Sequence, residues 1–277
     1  MPKISVILPS YNGEKFIKES IDSIINQSFK DWELILVNDC SKDSTLSIMQ
    51  EYAEKDARIK VINNETNQKL PESLNIGFRQ AKGEYLTWTS DDNIYKENAF
   101  QYMNDYLDNH KECDMISCNM ERINEDGSYK NCVSNKFRKN PYTLALRSNI
   151  GACFMYRKSI YEKVGEYNKN LFCAEDYDYW CRIALNGTIH YSKEILYKYR
   201  VNSQSLTATK KAFVREQAEK VREKYLKSFL EKYKVSYNFK VKCFLKLWKF
   251  ENNKKYLLKA ILMNPFISII KLLKNKF

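Results

Sequence analysis

The chain has 277 residues, of which 44% are hydrophobic and 14% aromatic, so it has enough apolar side chains for a sizeable core. Its net charge is +12, but the excess is local: residues 210–277 carry 19 basic and 5 acidic residues, whereas residues 1–209 carry 27 and 29. Only 7 glycines are present, and neither a dinucleotide-binding G-x-G-x-x-G motif nor a P-loop occurs. The 8 cysteines never form C-x-x-C and only two histidines accompany them, which argues against a zinc cluster.

The beginning of the chain predicts a cellular location. Its first residues enter a strand-like apolar run directly, without the apolar core and cleavage site of a secretion signal. Scattered cysteines are typical of proteins in a reducing compartment, and no stretch of about 18 apolar residues predicts a membrane span. We therefore expect a cytoplasmic protein.

Strand-like and helix-like patterns alternate through the first 110 residues. Short apolar runs predict strands, and apolar residues spaced three and four apart predict helices between them. This alternation predicts an α/β fold with a mostly parallel sheet flanked by helices on both faces. The predicted strands are 4–8, 32–37, 59–62 and 85–89, and the predicted helices are 14–27, 43–53, 70–81 and 98–107.

The pattern changes after residue 110. Residues 114–123 and 129–133 flank a turn that contains Gly127, which predicts a hairpin. Further strands are predicted at 152–156, 189–192 and 196–200, and helices at 159–164 and 176–185. From residue 210 onward the pattern is helical, with charges of both signs on a solvated helix over 210–234 and more apolar segments at 243–250 and 256–263.

Polar residues follow all four of the first strands. In a parallel sheet, ligands bind beyond the carboxyl ends of the strands, so these residues predict a ligand site. Asp91 and Asp92 end the fourth strand, where adjacent carboxylates repel unless a cation lies between or beside them. A Mg²⁺ or Mn²⁺ ion would take one or two carboxylates together with a substrate phosphate. The alternative is that Asp92 caps the next segment while Asp91 lies in water.

Three further groups have a functional and a structural interpretation. Asp39 could accept an N–H from a nucleobase stacked on Tyr11, or it could begin an Asx turn while Tyr11 packs on the sheet. Glu175 and Asp176 could supply a general base, or they could favour the first turn of a helix through its dipole. Arg182 could pair with Asp176 or be solvated.

Taken together, these residues resemble the family 2 glycosyltransferases, which have the GT-A fold. The resemblance covers about residues 3–207 and depends on several motifs that occur in order. These motifs are residues 5–12, 36–45, 67–77, 83–92 and 174–182.

The resemblance implies a role for individual residues. Pro9, Tyr11 and Asp39 would hold the nucleotide base, usually uridine, and Lys69 would lie close to the nucleotide. Asp92 would ligate a Mg²⁺ or Mn²⁺ cation, and Asp91 would contact the ribose or the metal shell. Asp176 would be the catalytic base. Arg200, in a segment similar to the closing motif of the family, would reach the diphosphate or be solvated, and Asn202 stands where the family often has histidine.

The implied function is inverting transfer of a hexosyl or N-acetylhexosaminyl group from a nucleotide-diphosphate sugar, UDP-linked, to a hydroxyl of a glycan or lipid-linked acceptor. At the family level, this implies bacterial surface polysaccharide assembly. Two departures matter: Thr89 or Ser90 replaces the first acid of the fuller metal motif, and no Q-x-x-R-W segment occurs, which implies a non-processive enzyme. Residues 1–207 would form the catalytic domain, with 1–110 as the nucleotide-sugar half, 111–207 as the acceptor half and 208–277 as a helical appendage.

The basic tail has more than one interpretation. In residues 264–277, Asn264 and Pro265 form a helix start, and apolar side chains follow on one face with lysines on the other. Such a helix fits an anionic membrane surface, which would place the protein peripherally on the inner face of the cell membrane and suit a lipid-linked acceptor. Alternatively, the apolar face closes a bundle on the catalytic domain or pairs two chains in a homo-oligomer.

Two other functions were weighed against transfer of a sugar. A nucleotidyltransferase acting on sugar phosphates would have a glycine-rich basic loop after the first strand, which residues 10–14 do not form. A basic module that binds a membrane or nucleic acid would need a basic folded part, and residues 1–209 are nearly neutral. We therefore expect no nucleic-acid partner.

Overall fold

The computed structural model describes residues 1–133, 140–203, 205–265 and 267–268. Its first half confirms the predicted alternation of strands and helices, with bounds that differ by a few residues. A two-residue strand, β5, was not predicted. The strands are β1 (Ile4–Ser10), β2 (Trp32–Asn38), β3 (Ile59–Asn63), β4 (Tyr85–Trp88) and β5 (Ile94–Tyr95), and the helices are α1 (Ile17–Ile25), α2 (Thr45–Lys55), α3 (Lys69–Gln80) and α4 (Ala99–Asn109).

The second half contains the predicted hairpin and the predicted helices before the tail. Its elements are β6 (Met115–Ile123), β7 (Tyr129–Val133), a 3₁₀ helix (Pro141–Ala145), β8 (Phe154–Arg157), α5 (Lys158–Val164), α6 (Glu175–Asn186), β9 (Ile189–Arg200), α7 (Leu206–Thr209), α8 (Lys211–Lys232), α9 (Tyr237–Glu251) and α10 (Lys254–Met263). The prediction of two strands over 189–200 was wrong. One strand runs through, because register shifts against β6 around Asn119 absorb the irregular residues between.

The strands of the described residues form one sheet in the order β3-β2-β1-β4-β8-β6-β9-β5, and β7 pairs with the outer part of β6. Strands β1 to β4, β6 and β9 point the same way, since β8 is antiparallel to both β4 and β6 and since β9 is parallel to β6. The sheet is therefore mostly parallel, as predicted, and the carboxyl ends of β1, β2 and β4 meet at one edge.

The core has two layers, one on each face of the sheet. Alternate residues of β1 contribute to opposite layers: Ile7 lies in one and Val6 and Leu8 in the other. Side chains of α1, α2 and α4 pack in the layer with Val6 and Leu8, whereas α3, α6 and the tail helices pack in the layer with Ile7.

The tail helices pack against the rest of the chain. Val221, Leu226 and Phe229 of α8 are fully buried or nearly so, in the same apolar cluster as Trp180 of α6. The prediction of a solvated helix over 210–234 was therefore wrong, because one side of the mixed-charge helix is apolar. The described tail helices thus share an apolar cluster with α6, and the alternatives for residues 264–277 stay predictions.

The described start of the last predicted segment also has the expected cap. The side chain of Asn264 accepts a hydrogen bond from the backbone N–H of Ile267 at 2.9 Å. The rest of that predicted helix, Phe266 and residues 269–277, lies outside the described residues. Among the residues that are described, no helix is both long and apolar enough to cross a membrane.

Candidate active site

The loops after β1 and β2 are hydrogen-bonded to each other at the shared sheet edge. The backbone N–H of Asp39 donates to the carbonyl of Ser10 at 2.9 Å, and the Asn12 side chain accepts from the backbone of Lys42 at 2.8 Å. Pro9 is buried within β1, whereas Tyr11, just beyond it, is 51% exposed. The alternative in which Tyr11 packs on the sheet was therefore wrong, and its ring is open to a ligand.

Asp39 organises the loop that follows β3. Its carboxylate accepts hydrogen bonds from the Asn64 side chain at 2.9 Å and from the backbone N–H groups of Gln68 and Lys69 at 2.7 and 2.9 Å. These long-range bonds are not those of an Asx turn, so that alternative was wrong. An ionised carboxylate has about four lone-pair positions, and one therefore remains for a ligand.

Lys69 stands at the start of α3, with its side chain exposed and its backbone in the left-handed region at φ 68°. Its N–H binds the carboxylate of Asp39, which fixes this conformation. The structure thus places the backbone of Lys69 beside the carboxylate of Asp39.

Asp91 lies against the loop that follows β1. Its Oδ2 accepts a short hydrogen bond from the Ser10 hydroxyl, and a Cβ on Gly13 would lie 2.2 Å from the same oxygen. Only glycine fits there. Burial, with a contribution from the neighbouring Asp92 charge, raises the pKa of Asp91 to about 7. Asp91 is thus half-buried and hydrogen-bonded to Ser10, rather than simply in water.

Asp92 is held by hydrogen bonds to both its backbone carbonyl and its carboxylate. Its carbonyl accepts from Nε of Arg200 at 2.9 Å, and Asn202 hydrogen-bonds its carboxylate. Burial raises the pKa of Asp92, while the Arg200 charge and the Asn202 bond oppose that rise. Asn202, which stands where the family often has histidine, thus contacts the predicted metal ligand directly.

Arg200 is 2% exposed, so the solvated alternative was wrong. Besides the Asp92 carbonyl, its guanidinium donates to the carbonyl of Glu125 at 2.7 Å and to the carboxylate of Glu19 at 2.6 Å. The guanidinium also lies 4.5 Å from the ring centroid of Phe16. Arg200 therefore ties the acidic pair to α1 and to the hairpin tip, and its described contacts are to the protein.

The residues present fit a divalent cation that is shared with a substrate. The described residues contain no group of three or more histidine, cysteine or acidic side chains that could hold a metal alone. Asp91 and Asp92 nevertheless supply two hard oxygen ligands at this sheet edge, next to each other in the chain, and burial raises the pKa of both. A cation bound through one or two carboxylates and substrate phosphates needs no larger protein cluster.

Glu175 and Asp176 form the second acidic pair, in the first turn of α6. Glu175 is 4% exposed, and its Oε2 has no hydrogen-bond partner. Burial raises the pKa of both carboxyl groups, and the charge of Asp176 raises that of Glu175 further. A helix dipole alone would lower both values, so stabilisation of the helix start does not explain the pair.

Tyr167 interacts with the end of β4 through a hydrogen bond and with Asp176 through its charge. The indole N–H of Trp88, the last residue of β4, donates to the Tyr167 hydroxyl at 3.0 Å. Asp176 is close enough to Tyr167 for its charge to raise the pKa of that phenol, beyond the larger effect of burial. Asn75 of α3 holds the Tyr167 backbone through two hydrogen bonds of 2.8 and 2.9 Å. Tyr167 therefore interacts with both the strand end that carries the first pair and a residue of the second.

Arg182 is not paired with Asp176, and it is hydrogen-bonded to other protein groups rather than simply solvated, so both predictions for it were wrong. Its Nε donates to Asp178 at 2.8 Å, and its other nitrogens donate to backbone carbonyls of residues 164–166. Asp178 is fully buried and also accepts from the Tyr225 hydroxyl at 2.8 Å and the Lys224 ammonium at 3.1 Å. This cluster fastens α8 of the tail to the helix that carries Asp176.

Sequence reasoning missed several supporting residues. Ser10 and Gly13 shape the surroundings of Asp91, and Asp178 fixes α6. The glycine was a usable signal, since a short loop that crosses a strand end beside two acids needs close approach. Asp178 offered a local signal only through Arg182, four residues further on, because its other partners, Lys224 and Tyr225, lie 46 and 47 residues away in the chain.

A separate cavity of about 690 Å³ opens at the opposite edge of the sheet, where the strands begin. Lys3, Gly83 and Arg157 are among its lining residues, and no predicted site residue lines it. The candidate site is therefore distinct from this cavity.

Residues 5–165 match the sequence model described as Glycosyl transferase family 2. The chain therefore belongs to the family 2 glycosyltransferases, which confirms the predicted family. It is 31% identical over 216 residues to an uncharacterized glycosyltransferase of Rickettsia prowazekii, covering 75% of this chain and 67% of that one. It is 30% identical over 292 residues to one of Haemophilus influenzae, covering 98% and 87%.

Solved structures agree with the predicted GT-A-like fold. TarS of S. aureus in complex with UDP superposes with a TM-score of 0.66 at 23% identity, over 91% of this chain and 71% of that one. The mannosyltransferase PcManGT of Pyrobaculum calidifontis, in complex with GDP-Man and Mn²⁺, gives a TM-score of 0.61 at 15% identity, over 100% and 88%. At these identities the likeness shows the fold.

Proposed function

We propose that this glycosyltransferase moves a sugar from a nucleotide-diphosphate sugar, UDP-linked, to a hydroxyl of an acceptor with inversion at the anomeric carbon. The observation that carries the proposal is that Tyr11, Asp39 and the Asp91–Asp92 pair lie at one sheet edge, where hydrogen bonds of Ser10 connect Asp39 with Asp91.

The donor base would stack on the exposed ring of Tyr11 and donate an N–H to the remaining lone pair of Asp39. Pro9 would line the pocket from below, and Lys69 would lie beside the nucleotide. TarS with UDP or UDP-GlcNAc and PcManGT with GDP-Man support a nucleotide-sugar donor and a transferred hexosyl or N-acetylhexosaminyl group.

Asp92, with Asp91 beside it, would hold Mg²⁺ or Mn²⁺, and the Mn²⁺ in the PcManGT complex supports this choice. When bound, the cation would neutralise charge on the diphosphate leaving group. Arg200 and Asn202 would act on Asp92 by holding it in place, since their contacts are to its carbonyl and its carboxylate.

Asp176 would accept the proton of the acceptor hydroxyl as that oxygen attacks the anomeric carbon from the face opposite the diphosphate. Its raised pKa makes it a stronger base than an exposed aspartate, and general-base assistance of this kind contributes ~10²–10⁴-fold. Glu175, buried beside it, would keep its surroundings poor in water.

The acceptor side of the proposal is a glycan or lipid-linked hydroxyl in bacterial surface polysaccharide assembly. Residues 1–110 would form the donor half, 111–207 the acceptor half and 208–277 the appendage. A cytoplasmic enzyme that meets a lipid-linked acceptor would work at the inner face of the membrane, with residues 264–277 in contact with anionic lipid. Pairing of two chains is compatible with the same scheme.

The test is a thermal-unfolding panel of UDP- and GDP-linked sugars with and without Mn²⁺. At a hundredfold excess over Kd, a donor stabilises the protein by about 2.7 kcal/mol. We expect one UDP-linked sugar to do so only with Mn²⁺, and Asp92→Asn to abolish the effect. Asp31→Asn, an exposed residue at the opposite edge of the sheet, is the matched control. If no nucleotide sugar stabilised the wild-type protein with or without Mn²⁺, the proposal would be wrong.

A further inference from the structure

Helix α10 presents an exposed apolar face that packs against no other described part of the chain. Leu258 and Leu262 are 58% and 74% exposed, which makes them two of the most exposed large apolar side chains among the described residues. They lie one turn apart on the same row of the helix. The opposite side of α10 packs on α9 through the fully buried Ala260 and the half-buried Tyr256 and Leu257.

Lysines surround this pair of leucines. Lys254 continues the row of Leu258 and Leu262 by one turn, and Lys255 and Lys259 form the adjacent row, since residues four apart share a helix face. All three are exposed. We call these five residues the α10 face.

No acidic residue offsets the charge of the α10 face. The chain contains no aspartate or glutamate after Glu251, whereas it has six lysines there. Glu251 itself is paired with Lys227 of α8 at 2.8 Å. The face is therefore uniformly basic around an apolar centre.

We propose that the α10 face binds the surface of an anionic lipid bilayer. Leucine side chains would enter the boundary between headgroups and acyl chains, and the long lysines would reach the lipid phosphates. A protein partner fits less well, because protein interfaces favour tyrosine, tryptophan and arginine and are poor in lysine. The inference rests on the proposed function only for its purpose, which is access to a lipid-linked acceptor.

The experiment measures co-sedimentation of the full chain with vesicles of phosphatidylcholine alone or mixed equally with phosphatidylglycerol. No donor or cation is added, so the result does not depend on catalysis, and Asp176→Asn should bind vesicles like the wild type. We expect wild-type partitioning to be at least tenfold stronger on the anionic vesicles.

Two variants divide the contributions of charge and apolar surface. A lysine near an anionic surface is worth ~1 kcal/mol, roughly fivefold, so Lys254→Gln with Lys255→Gln and Lys259→Gln should weaken partitioning on the order of 100-fold. Leu258→Ser with Leu262→Ser should weaken it roughly tenfold or more. All five positions are exposed, so the unfolding temperature should not change.

Matched controls exist elsewhere on the chain. Lys18→Gln with Lys55→Gln and Lys111→Gln removes three exposed lysines from the first half of the chain, and Leu206→Ser with Phe213→Ser removes two exposed apolar side chains outside α10. Both controls should bind as the wild type does.

Three results would overturn the inference. The first is equal binding to neutral and anionic vesicles, and the second is unchanged binding by both α10 variants. The third is a wild-type dimer in sedimentation without lipid that the leucine variant dissociates, together with no vesicle binding. That last result would assign the face to a second copy of the chain.

Discussion

The two acidic pairs of the site differ in their surroundings, although both are adjacent carboxylates with raised pKa values. Asp91 and Asp92 follow a strand and are held by hydrogen bonds from Ser10, Arg200 and Asn202. Glu175 and Asp176 begin a helix, and one oxygen of Glu175 has no partner. In the proposed function, the first pair would share a positive ion and the second would take up a proton.

This difference shows that a raised pKa alone does not assign a functional role to a carboxyl group. Burial is the main cause of the raised pKa values in both pairs. The pairs differ in the neighbouring groups that orient their oxygen atoms. Asp92 is oriented from its backbone and its carboxylate, as a metal ligand must be. The carboxylate of Asp176 accepts a hydrogen bond from the neighbouring backbone N–H of Tyr177 at 2.6 Å, and Asp176 lies on a helix that the Asp178 cluster fixes against α8.

The largest expected effect is a loss of turnover when Asp176, in the second pair, is replaced. Asp176→Asn should lower kcat by ~10²–10⁴-fold while leaving nucleotide binding unchanged, because the amide cannot accept the proton of the acceptor hydroxyl. Turnover and nucleotide affinity measured on the same preparation check this. Near-normal turnover would remove Asp176 as the base.

A second variant removes Arg200, which holds the Asp91–Asp92 pair in place. Arg200→Met removes three hydrogen bonds to buried or partly buried acceptors, so we expect a loss of about 2–4 kcal/mol in the free energy of unfolding. Mn²⁺-dependent nucleotide binding should weaken in the same variant, since Asp92 loses its backbone anchor. Denaturant unfolding and nucleotide titration measure the two effects, and Lys15→Met, an exposed residue, is the control.

That control would contradict the account if it behaved like Arg200→Met. A second contradicting result would be that Arg200→Met loses stability but keeps full Mn²⁺-dependent nucleotide binding, since Arg200 would then have no part in holding Asp92.

The smallest expected effect concerns the second pair and pH. A carboxyl whose folded pKa is raised holds its proton in the fold at pH values where the unfolded chain has released it, so stability falls as pH rises through the folded pKa. Glu175 is such a group, because burial and Asp176 both raise its pKa. Without metal, the wild-type unfolding temperature should therefore fall between about pH 5 and 9, and Glu175→Gln should reduce that fall. An identical pH dependence in the two proteins would contradict the assignment.

The sequence was sufficient to predict the parallel strands and the residues at their ends. Strand period, breaker residues and motif order are local signals, and the carboxyl-end rule then brings Asp39 and Asp91 to one edge. The contacts of Arg200 were not predictable, because they depend on partners from distant segments, whereas the Asp178–Arg182 pair is a local contact that the sequence analysis missed. For Arg200, the partners lie 75, 108 and 181 residues away in the chain.

The packing of the tail helices was likewise not predictable from the sequence. Mixed charges along residues 210–234 predicted a solvated helix, yet Val221, Leu226 and Phe229 make one side of α8 apolar. Charge counts average over all faces of a helix, whereas burial depends on one face. The exposed leucines of α10 likewise became evident only once the buried side of that helix was known.

The most direct measurement is anomalous diffraction from crystals grown with Mn²⁺ and UDP. We expect a Mn²⁺ peak within about 2.5 Å of a carboxylate oxygen of Asp92, with the uracil ring on Tyr11 and within hydrogen-bonding distance of Asp39. A nucleotide bound elsewhere, or bound at this edge with the cation away from both Asp91 and Asp92, would contradict the account.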